Sequence, residues 1–331
     1  MPEQIIVNRL TKLFRVPQRE AGLGAALRSL VRREFREVLA VKDVSFAVPE
    51  GEIVGFLGPN GAGKTTTLKM LSGLLHPTSG EATILGEVPW RRSPDYLRRI
   101  SLIMGQRSQL NWDIPAADSF LVHAAVFGVP RSDFDRTLGE LTDLLDLGPL
   151  LKKPVRNLSL GERMKCEIAA SLLHRPAVLF LDEPTIGLDV TMQARIRTFI
   201  QEYNRRTGAT IILTSHYMAD VTALCRRVII IHHGKLLFDG PLDDLADRVA
   251  PYKVITIDLD RDLNGHDFSV YGGVLTQEPR KVAVRVPREQ AAAVTGRMLA
   301  ELPVLDLTIE DPPIEDVIER VFRSGDSDAP V

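Results

Sequence analysis

The clearest chemical pattern in the chain is the segment Gly58–Thr66, which reads GPNGAGKTT. It fits G-x-x-x-x-G-K-[ST], the pattern of a loop that holds phosphate groups with backbone N–H groups, a lysine and a magnesium-binding hydroxyl. Residues 52–57, EIVGFL, predict a short buried strand before the loop, and residues 64–75 predict a helix after it, which is the context that the motif needs. The segment therefore predicts a nucleotide site lined by Gly58, Pro59, Asn60, Gly61, Ala62, Gly63, Lys64, Thr65 and Thr66.

A second pattern is the apolar run 177–181, which is followed directly by Asp182 and Glu183. An aspartate at the end of a buried strand can hold Mg²⁺ beside a phosphate loop, and a glutamate after it can deprotonate a water molecule. Taken alone, the two acids could be a solvated strand end. Together with the phosphate loop, they indicate cleavage of a nucleotide phosphate.

The elements around these residues predict an α/β fold. Strands over 177–183, 209–214 and 227–232 alternate with helices over 191–206 and 217–226, which favours a parallel, doubly wound core. Strands over 4–10 and 39–48 predict an antiparallel β subdomain, and the block 107–175 reads as a helical subdomain. We expect these parts to make one nucleotide-binding domain over 1–245.

Residues 17–38 look inserted between the first two strands, and their apolar positions fall at helical spacing. They predict an amphipathic helix whose other face is rich in arginine. This helix could cover the β subdomain, or it could contact a membrane protein or lipid headgroups. Both interpretations stay open at the level of sequence.

Residues 246–331 predict a small α+β accessory domain without a phosphate loop or metal-ligand spacing, and the polar tail 324–331 predicts disorder. The whole chain has 331 residues and a net charge of −2, which gives no reason to expect nucleic acid as a partner. Its two cysteines exclude a disulfide framework and suit a reducing cytoplasm. No apolar run is long enough for a membrane span, and the start of the sequence has no pattern of a secretory signal.

A family resemblance emerges from the order of several short motifs. Residues 157–163, NLSLGER, resemble the signature motif of the ATP-binding-cassette (ABC) superfamily, and we call them the signature segment. Gln106 after a strand, Asp189 in PTIGLD and His216 after LTS stand in the order of that superfamily's motifs. The resemblance covers residues 1–240 and is most similar to the ATPases of type-2 exporters, which act in drug, lipid or polysaccharide efflux.

The resemblance implies specific roles for these residues. Gln106 would contact Mg²⁺ or water, with Gln109 as the alternative, and His216 would contact the γ-phosphate and the attacking water. Ser159 and Gly161 would bind ATP held by a second cassette, while Asp189 would bridge the two. The signature segment departs from the common LSGGQ at Leu160 and Glu162.

The aromatic residue that stacks on adenine is ambiguous because of the insertion. Phe14 matches the local sequence in which the family carries this aromatic residue. Phe35 instead matches its spacing to the next strand, and we favour Phe35. A ring on the base contributes about 1–3 kcal/mol in comparable contacts.

The resemblance implies an ATP hydrolase that uses ATP and Mg²⁺ and closes as a head-to-tail dimer, with itself or with a paired cassette subunit. Its other partners would be membrane permease subunits, at the cytoplasmic face of a bacterial inner membrane. An importer ATPase and a non-transport cassette ATPase of translation or DNA repair are the alternatives. A GTPase is disfavoured because no N-K-x-D segment occurs.

Overall fold

The structure is a computed structural model that describes residues 2–17, 35–105, 108–263 and 265–326. The chain divides into two compact units, Met1–Asp239 and Gly240–Val331. The strands of the first unit are β1 (Glu3–Pro17), β2 (Phe35–Pro49), β3 (Ile53–Leu57), β4 (Ser79–Ile84), β5 (Ile100–Met104), β6 (Val178–Asp182), β7 (Thr210–Thr214), β8 (Arg227–His232) and most of β9 (Lys235–Pro241). Its helices are α1 (Lys64–Leu71), α2 (Pro94–Arg99), α3 (Ala116–Phe127), α4 (Arg131–Leu145), α5 (Leu160–Leu172), α6 (Val190–Thr207) and α7 (Met218–Leu224).

The antiparallel sheet has the order β2-β1-β4, and at residue 17 and residues 35–38 it replaces the two ends of the helix predicted over 17–38 with strand. Pro17 pairs with Phe35, and Phe14 pairs with Val38, so both ends of the predicted helix belong to a β-hairpin. Cross-strand pairing wins over helical spacing here because the ladder satisfies the backbone of residues 35–38. Residues 18–34 lie outside the described part of the chain.

The six-stranded sheet has the order β5-β6-β7-β3-β8-β9, and its first five strands run parallel. β6 and β7 are buried along their whole length, as expected for strands covered on both faces. Because parallel strands end at the same edge, the loops after β3, β6 and β7 meet there. Those loops carry the phosphate loop, the Asp182–Glu183 pair and His216.

Helices α3, α4 and α5 lie in the predicted helical block, between β5 and β6. The apolar core of the first unit joins residues of the antiparallel sheet, α1 and the parallel sheet, with Phe56 and Phe180 among its fully buried rings. The predicted cassette fold is confirmed in this arrangement. No helix among the described residues combines the length and the apolar character that a membrane crossing requires.

The second unit is α+β. It consists of α8 (Leu242–Val249), β10 (Tyr252–Leu259), β11 (Gly273–Glu278), β12 (Lys281–Pro287), α9 (Ala291–Glu301), β13 (Val304–Glu310) and α10 (Ile314–Asp326). The strands form an antiparallel sheet of order β11-β12-β10-β13, and α9 packs its Val294 and Met298 on the buried side of that sheet. Helix α10 extends to Asp326 and so includes the first three residues of the tail predicted over 324–331, while residues 327–331 lie outside the described part of the chain.

Candidate functional site

The phosphate loop links β3 to α1, and close packing fixes its glycines. A methyl group on Gly63, whose φ is +106°, would lie 2.5 Å from the carbonyl oxygen of Ala40 in β2. A methyl group on Gly58 would lie 2.3 Å from the carbonyl oxygen of Ile231 in β8. Only glycine therefore fits at these two positions.

Lys64 is the first residue of α1, and its side chain turns back over the loop. Its ammonium group donates to the carbonyl oxygens of Gly58 at 2.6 Å and Pro59 at 3.1 Å. Burial lowers the pKa of Lys64, while the charges of Glu183 and Asp182 act to raise it. The loop, the lysine and the two acids thus form one electrostatic site.

Thr65 and Asp182 meet where α1 begins and β6 ends. The Thr65 hydroxyl donates to Oδ2 of Asp182 at 2.8 Å, and the Thr214 hydroxyl of β7 donates to Oδ1 at the same distance. A hydroxyl and a carboxylate beside a phosphate loop are the oxygen donors that suit Mg²⁺, which takes its remaining ligands from phosphates and water. The residues present therefore fit this ion.

Glu183 and His216 face each other across the ends of β6 and β7. Nε2 of His216 lies 2.8 Å from Oε1 of Glu183. The backbone N–H of Glu183 donates to Thr214 at 3.1 Å, and Glu183 has the left-handed φ of +55°. Left-handed backbone at a non-glycine residue costs of order 1–3 kcal/mol and persists only where neighbouring contacts hold it, which is common at functional sites.

The signature segment begins α5, and Ser159 is the N-cap of that helix. The Ser159 hydroxyl accepts from the N–H of Glu162 at 3.2 Å, and the Glu162 carboxylate accepts from the N–H of Ser159 at 2.9 Å. Glu162, one of the two departures from LSGGQ, therefore completes a capping box. Lys153 donates to the other Glu162 oxygen at 3.2 Å.

The other departure, Leu160, packs towards the loop that precedes α6. A methyl group on Gly187 would lie 3.1 Å from Cδ2 of Leu160, and one on Gly161 would lie 3.1 Å from Met192 of α6. Asp189 is the N-cap of α6 and accepts from the N–H of Met192 at 2.9 Å. Within one chain, Ser159 and Asp189 are thus exposed caps of two neighbouring helices.

Gln106 lies outside the described residues, so its predicted contacts are not assigned. The alternative, Gln109, turns its amide towards β5 and donates to the carbonyl oxygen of Leu102 at 2.9 Å. Its backbone N–H donates to the buried Glu167 of α5 at 2.9 Å, and Ser108 donates to the same carboxylate. Glu167 thus ties the loop after β5 to the signature helix.

The two candidate aromatics lie at different distances from the phosphate loop. Ala40 marks the point where β2 reaches that loop. Phe35 is half-exposed and lies five positions away, which is about 16 Å along an extended strand. Phe14 pairs with Val38, only two positions or about 7 Å from Ala40, so Phe14 lies on the side nearer to the loop.

Comparison with known proteins agrees with this geometry. A family model described as ABC transporter matches residues 41–186, and one described as EvrA-like ABC transporter, C-terminal domain, matches residues 251–310. The ABC transporter ATP-binding protein NatA of Bacillus subtilis is 36% identical over 63% of this chain and 85% of its own length. The bacitracin transport ATP-binding protein BcrA of Bacillus licheniformis is 30% identical over 86% of this chain and 93% of its own length.

The chain belongs to the ABC transporter ATP-binding proteins. A solved ATP-binding subunit of an ABC transporter is 25% identical, with a TM-score of 0.61 over 74% of this chain and 92% of that chain. The ATP-binding cassette MJ0796, solved as a post-hydrolysis dimer bound to ADP and Pi, shares the fold at 22% identity, with a TM-score of 0.58 over 72% of this chain and 98% of that chain. The chain is accordingly an ATP-hydrolysing subunit of a transporter.

Several residues of this ABC ATPase site were missed by sequence reasoning. Thr214 contacts Asp182. Glu167 contacts the loop after β5, and Lys153 contacts the signature segment. Thr214 ends an apolar strand, as Asp182 does, and this shared position could have predicted that the two side chains lie close together. Glu167 and Lys153 are charged residues among many, and only the fold shows what they contact.

Proposed function

We propose that this ABC ATPase powers an exporter, and that residues 58–66, Asp182, Glu183 and His216 carry out the hydrolysis. The observation that carries the proposal is the 2.8 Å contact between Glu183 and His216. Lys64 is the cation of the same site, and its pKa responds to the charge of Glu183. A base, its partner and a phosphate-binding lysine are thus supplied by one edge of one sheet.

The proposed chemistry is attack of water on the γ-phosphate of ATP, which yields ADP and inorganic phosphate. Lys64 and the backbone N–H groups of the loop bind the β- and γ-phosphates. Glu183 accepts the proton of the attacking water, and His216 holds the γ-phosphate and that water in place. Thr65 and Asp182 would hold Mg²⁺, which when bound neutralises the developing phosphate charge.

Closure of the site requires a second cassette in this proposal. Ser159 and Gly161 would contact the γ-phosphate bound to the other copy, and Asp189 would lie at the seam between the copies. The helix N-terminus behind Ser159 favours an anion, which supports this role. ATP binding then favours a head-to-tail dimer, and hydrolysis lets it open.

Adenine is the remaining part of the ligand, and here we revise our preference to Phe14. The ring of Phe14 is half-buried beside the ammonium of Lys12, which lies 5.2 Å from its centre. Its shorter strand distance to the phosphate loop supports this choice over Phe35.

Export is inferred from the relatives. They include BcrA, the linearmycin resistance ATP-binding protein LnrL of Bacillus subtilis and the Nod factor export ATP-binding protein I of Burkholderia thailandensis. By analogy with them, we propose that the chain docks on membrane permease subunits at the cytoplasmic face of a bacterial membrane.

Substitution of Glu183 by glutamine tests the proposed hydrolysis. Glu183→Gln keeps the side-chain shape but removes the base, so turnover falls by about 10²- to 10⁴-fold while ATP still binds and holds a dimer. ATPase assays and light scattering with and without ATP measure both effects. The control is Glu81→Gln, which changes an exposed glutamate on β4. Turnover of Glu183→Gln at the parent rate would remove Glu183 from the mechanism.

A further inference from the structure

A buried carboxylate lies behind the proposed catalytic pair. Asp220 of α7 is 1% exposed, and its Oδ2 accepts from the Thr185 hydroxyl at 2.5 Å and from the Ser215 hydroxyl at 2.8 Å. Its Oδ1 accepts from Nη1 of Arg197 in α6 at 2.8 Å. Thr185 and Ser215 are themselves buried. These four side chains form the Asp220 cluster.

The two hydroxyls come from the two catalytic loops. Thr185 follows Glu183 by two residues in the loop after β6, and Ser215 directly precedes His216 in the loop after β7. One carboxylate oxygen therefore joins both loops behind the residues that meet at 2.8 Å. Granting the roles proposed above, we propose that Asp220 is a positioning residue that sets the placement of Glu183 relative to His216.

Physical chemistry favours this use of a buried aspartate. A carboxylate out of water is costly unless charged and hydrogen-bonding partners surround it, and Asp220 has one cation and two hydroxyls. Because charge-assisted hydrogen bonds are stronger than neutral ones, the shared oxygen holds both loops firmly. Misplacement of a reacting group by 1 Å can cost about 100-fold in rate.

The test is a double-variant cycle at the two hydroxyls, carried out on the full chain. Thr185→Val releases the loop of Glu183, and Ser215→Ala releases the loop of His216. Either change alone breaks the link, so we expect each to lower kcat at least tenfold, with the KM for ATP within twofold of the parent. The double variant should then lose no more than threefold further. Thr222→Val is the matched control, because within the described part of the chain that hydroxyl donates to carbonyl oxygens of its own helix.

Arg197→Met separates positioning from stability. Arg197 contacts the oxygen of Asp220 that binds neither loop, so its loss should lower Tm more than Thr185→Val does but lower kcat less. If the loss of kcat in Arg197→Met and Thr185→Val is proportional to their loss of Tm, the cluster is purely structural and the proposal is overturned. Additive losses in the cycle, or a Thr185→Val enzyme within twofold of the parent, would also overturn it. Thr185→Val, which barely changes the shape of the side chain, decides the question even if the Ser215 variant fails to fold.

The Glu183→Gln variant keeps this inference distinct from the proposed function. If Glu183→Gln abolishes turnover while Thr185→Val leaves it intact, the proposed function stands and Asp220 has no positioning role. If Glu183→Gln turns over at the parent rate, the proposed function itself fails.

Discussion

Replacement of Lys153 by methionine should raise the KM for ATP, although Lys153 does not contact a phosphate in the proposed site. Lys153 donates to the Glu162 carboxylate at 3.2 Å, and that carboxylate accepts from the N–H of Ser159 at 2.9 Å. The hydrogen bond from the Ser159 backbone lowers the pKa of Glu162, so its charge is retained near neutral pH. A negative charge thus lies beside the hydroxyl that we assign to the partner's γ-phosphate.

The geometry sets the size of this effect. The 2.9 Å contact and the serine side chain lead to the hydroxyl oxygen, and a further hydrogen bond leads from there to the phosphate. Because this path is bent, we take roughly 6 Å as the separation between the carboxylate and a phosphate bound by Ser159. Coulomb's law then gives about 0.7 kcal/mol of repulsion per unit charge in water and about 3 kcal/mol at an effective dielectric constant of 20. Because the Glu162 side chain is 31% exposed, the lower half of that range applies. Without Lys153, about 1 kcal/mol is lost, so we expect the KM for ATP to rise roughly fivefold.

Steady-state ATPase assays check this expectation, with Lys152→Met as the matched control on the neighbouring exposed lysine. The increase in KM should shrink at high salt, because exposed charges are screened. Adding Glu162→Gln, which keeps the capping box but removes the charge, should return the KM of Lys153→Met to the parent value. An unchanged KM in Lys153→Met, or no recovery in the double variant, would refute the electrostatic reasoning.

Three further predictions concern the nucleotide site and the helical block. Phe14→Ala should weaken ATP binding at least fivefold while Phe35→Ala leaves it within twofold, as measured by calorimetry; the reverse order would restore Phe35 as the stacking residue. Gly63→Ala should lose ATP binding more than tenfold, because its methyl group would lie 2.5 Å from a β2 carbonyl oxygen. Gly61→Ala should lose less in the same assay, because its φ of +81° is strained in the same way but its methyl group would meet no atom within 4 Å beyond its chain neighbours. Burial lowers the pKa of His174 below its ordinary 6.5, so the unfolded chain takes up more protons and stability should fall as the pH drops below about 6.5; His174→Gln should reduce that loss in thermal melts.

Local patterns in the sequence predicted the phosphate loop, Asp182 and Glu183 because their chemistry depends on adjacent residues. The signature segment was recognised in the same way. The residues that contact Leu160 and Glu162, where it departs from LSGGQ, were not predicted. The Lys153–Glu162 contact spans nine residues, and nothing in the intervening sequence indicates it.

Longer-range contacts were beyond the sequence. Thr185 reaches Asp220 across 35 positions, and a buried acid cannot be told from an exposed one by its letter alone. Strand β11 was missed for a different reason. All of its residues are exposed, so it has no apolar alternation to reveal it. The helical spacing failed at residues 35–38, because they take their conformation from the strand opposite rather than from their own apolar pattern.

Because of the position of the Lys64 ammonium group, an entering nucleotide would have to replace hydrogen bonds that this group already makes. Two backbone carbonyls hold that cation over the loop, so an incoming ligand has to outcompete them. The non-bridging oxygens of a phosphate share a negative charge and would compete well for the ammonium group, whereas a nucleoside brings no charge to it. Under the proposed function, the loop would therefore favour nucleotides that bring a phosphate oxygen to this cation, and the base would be recognised by a separate contact.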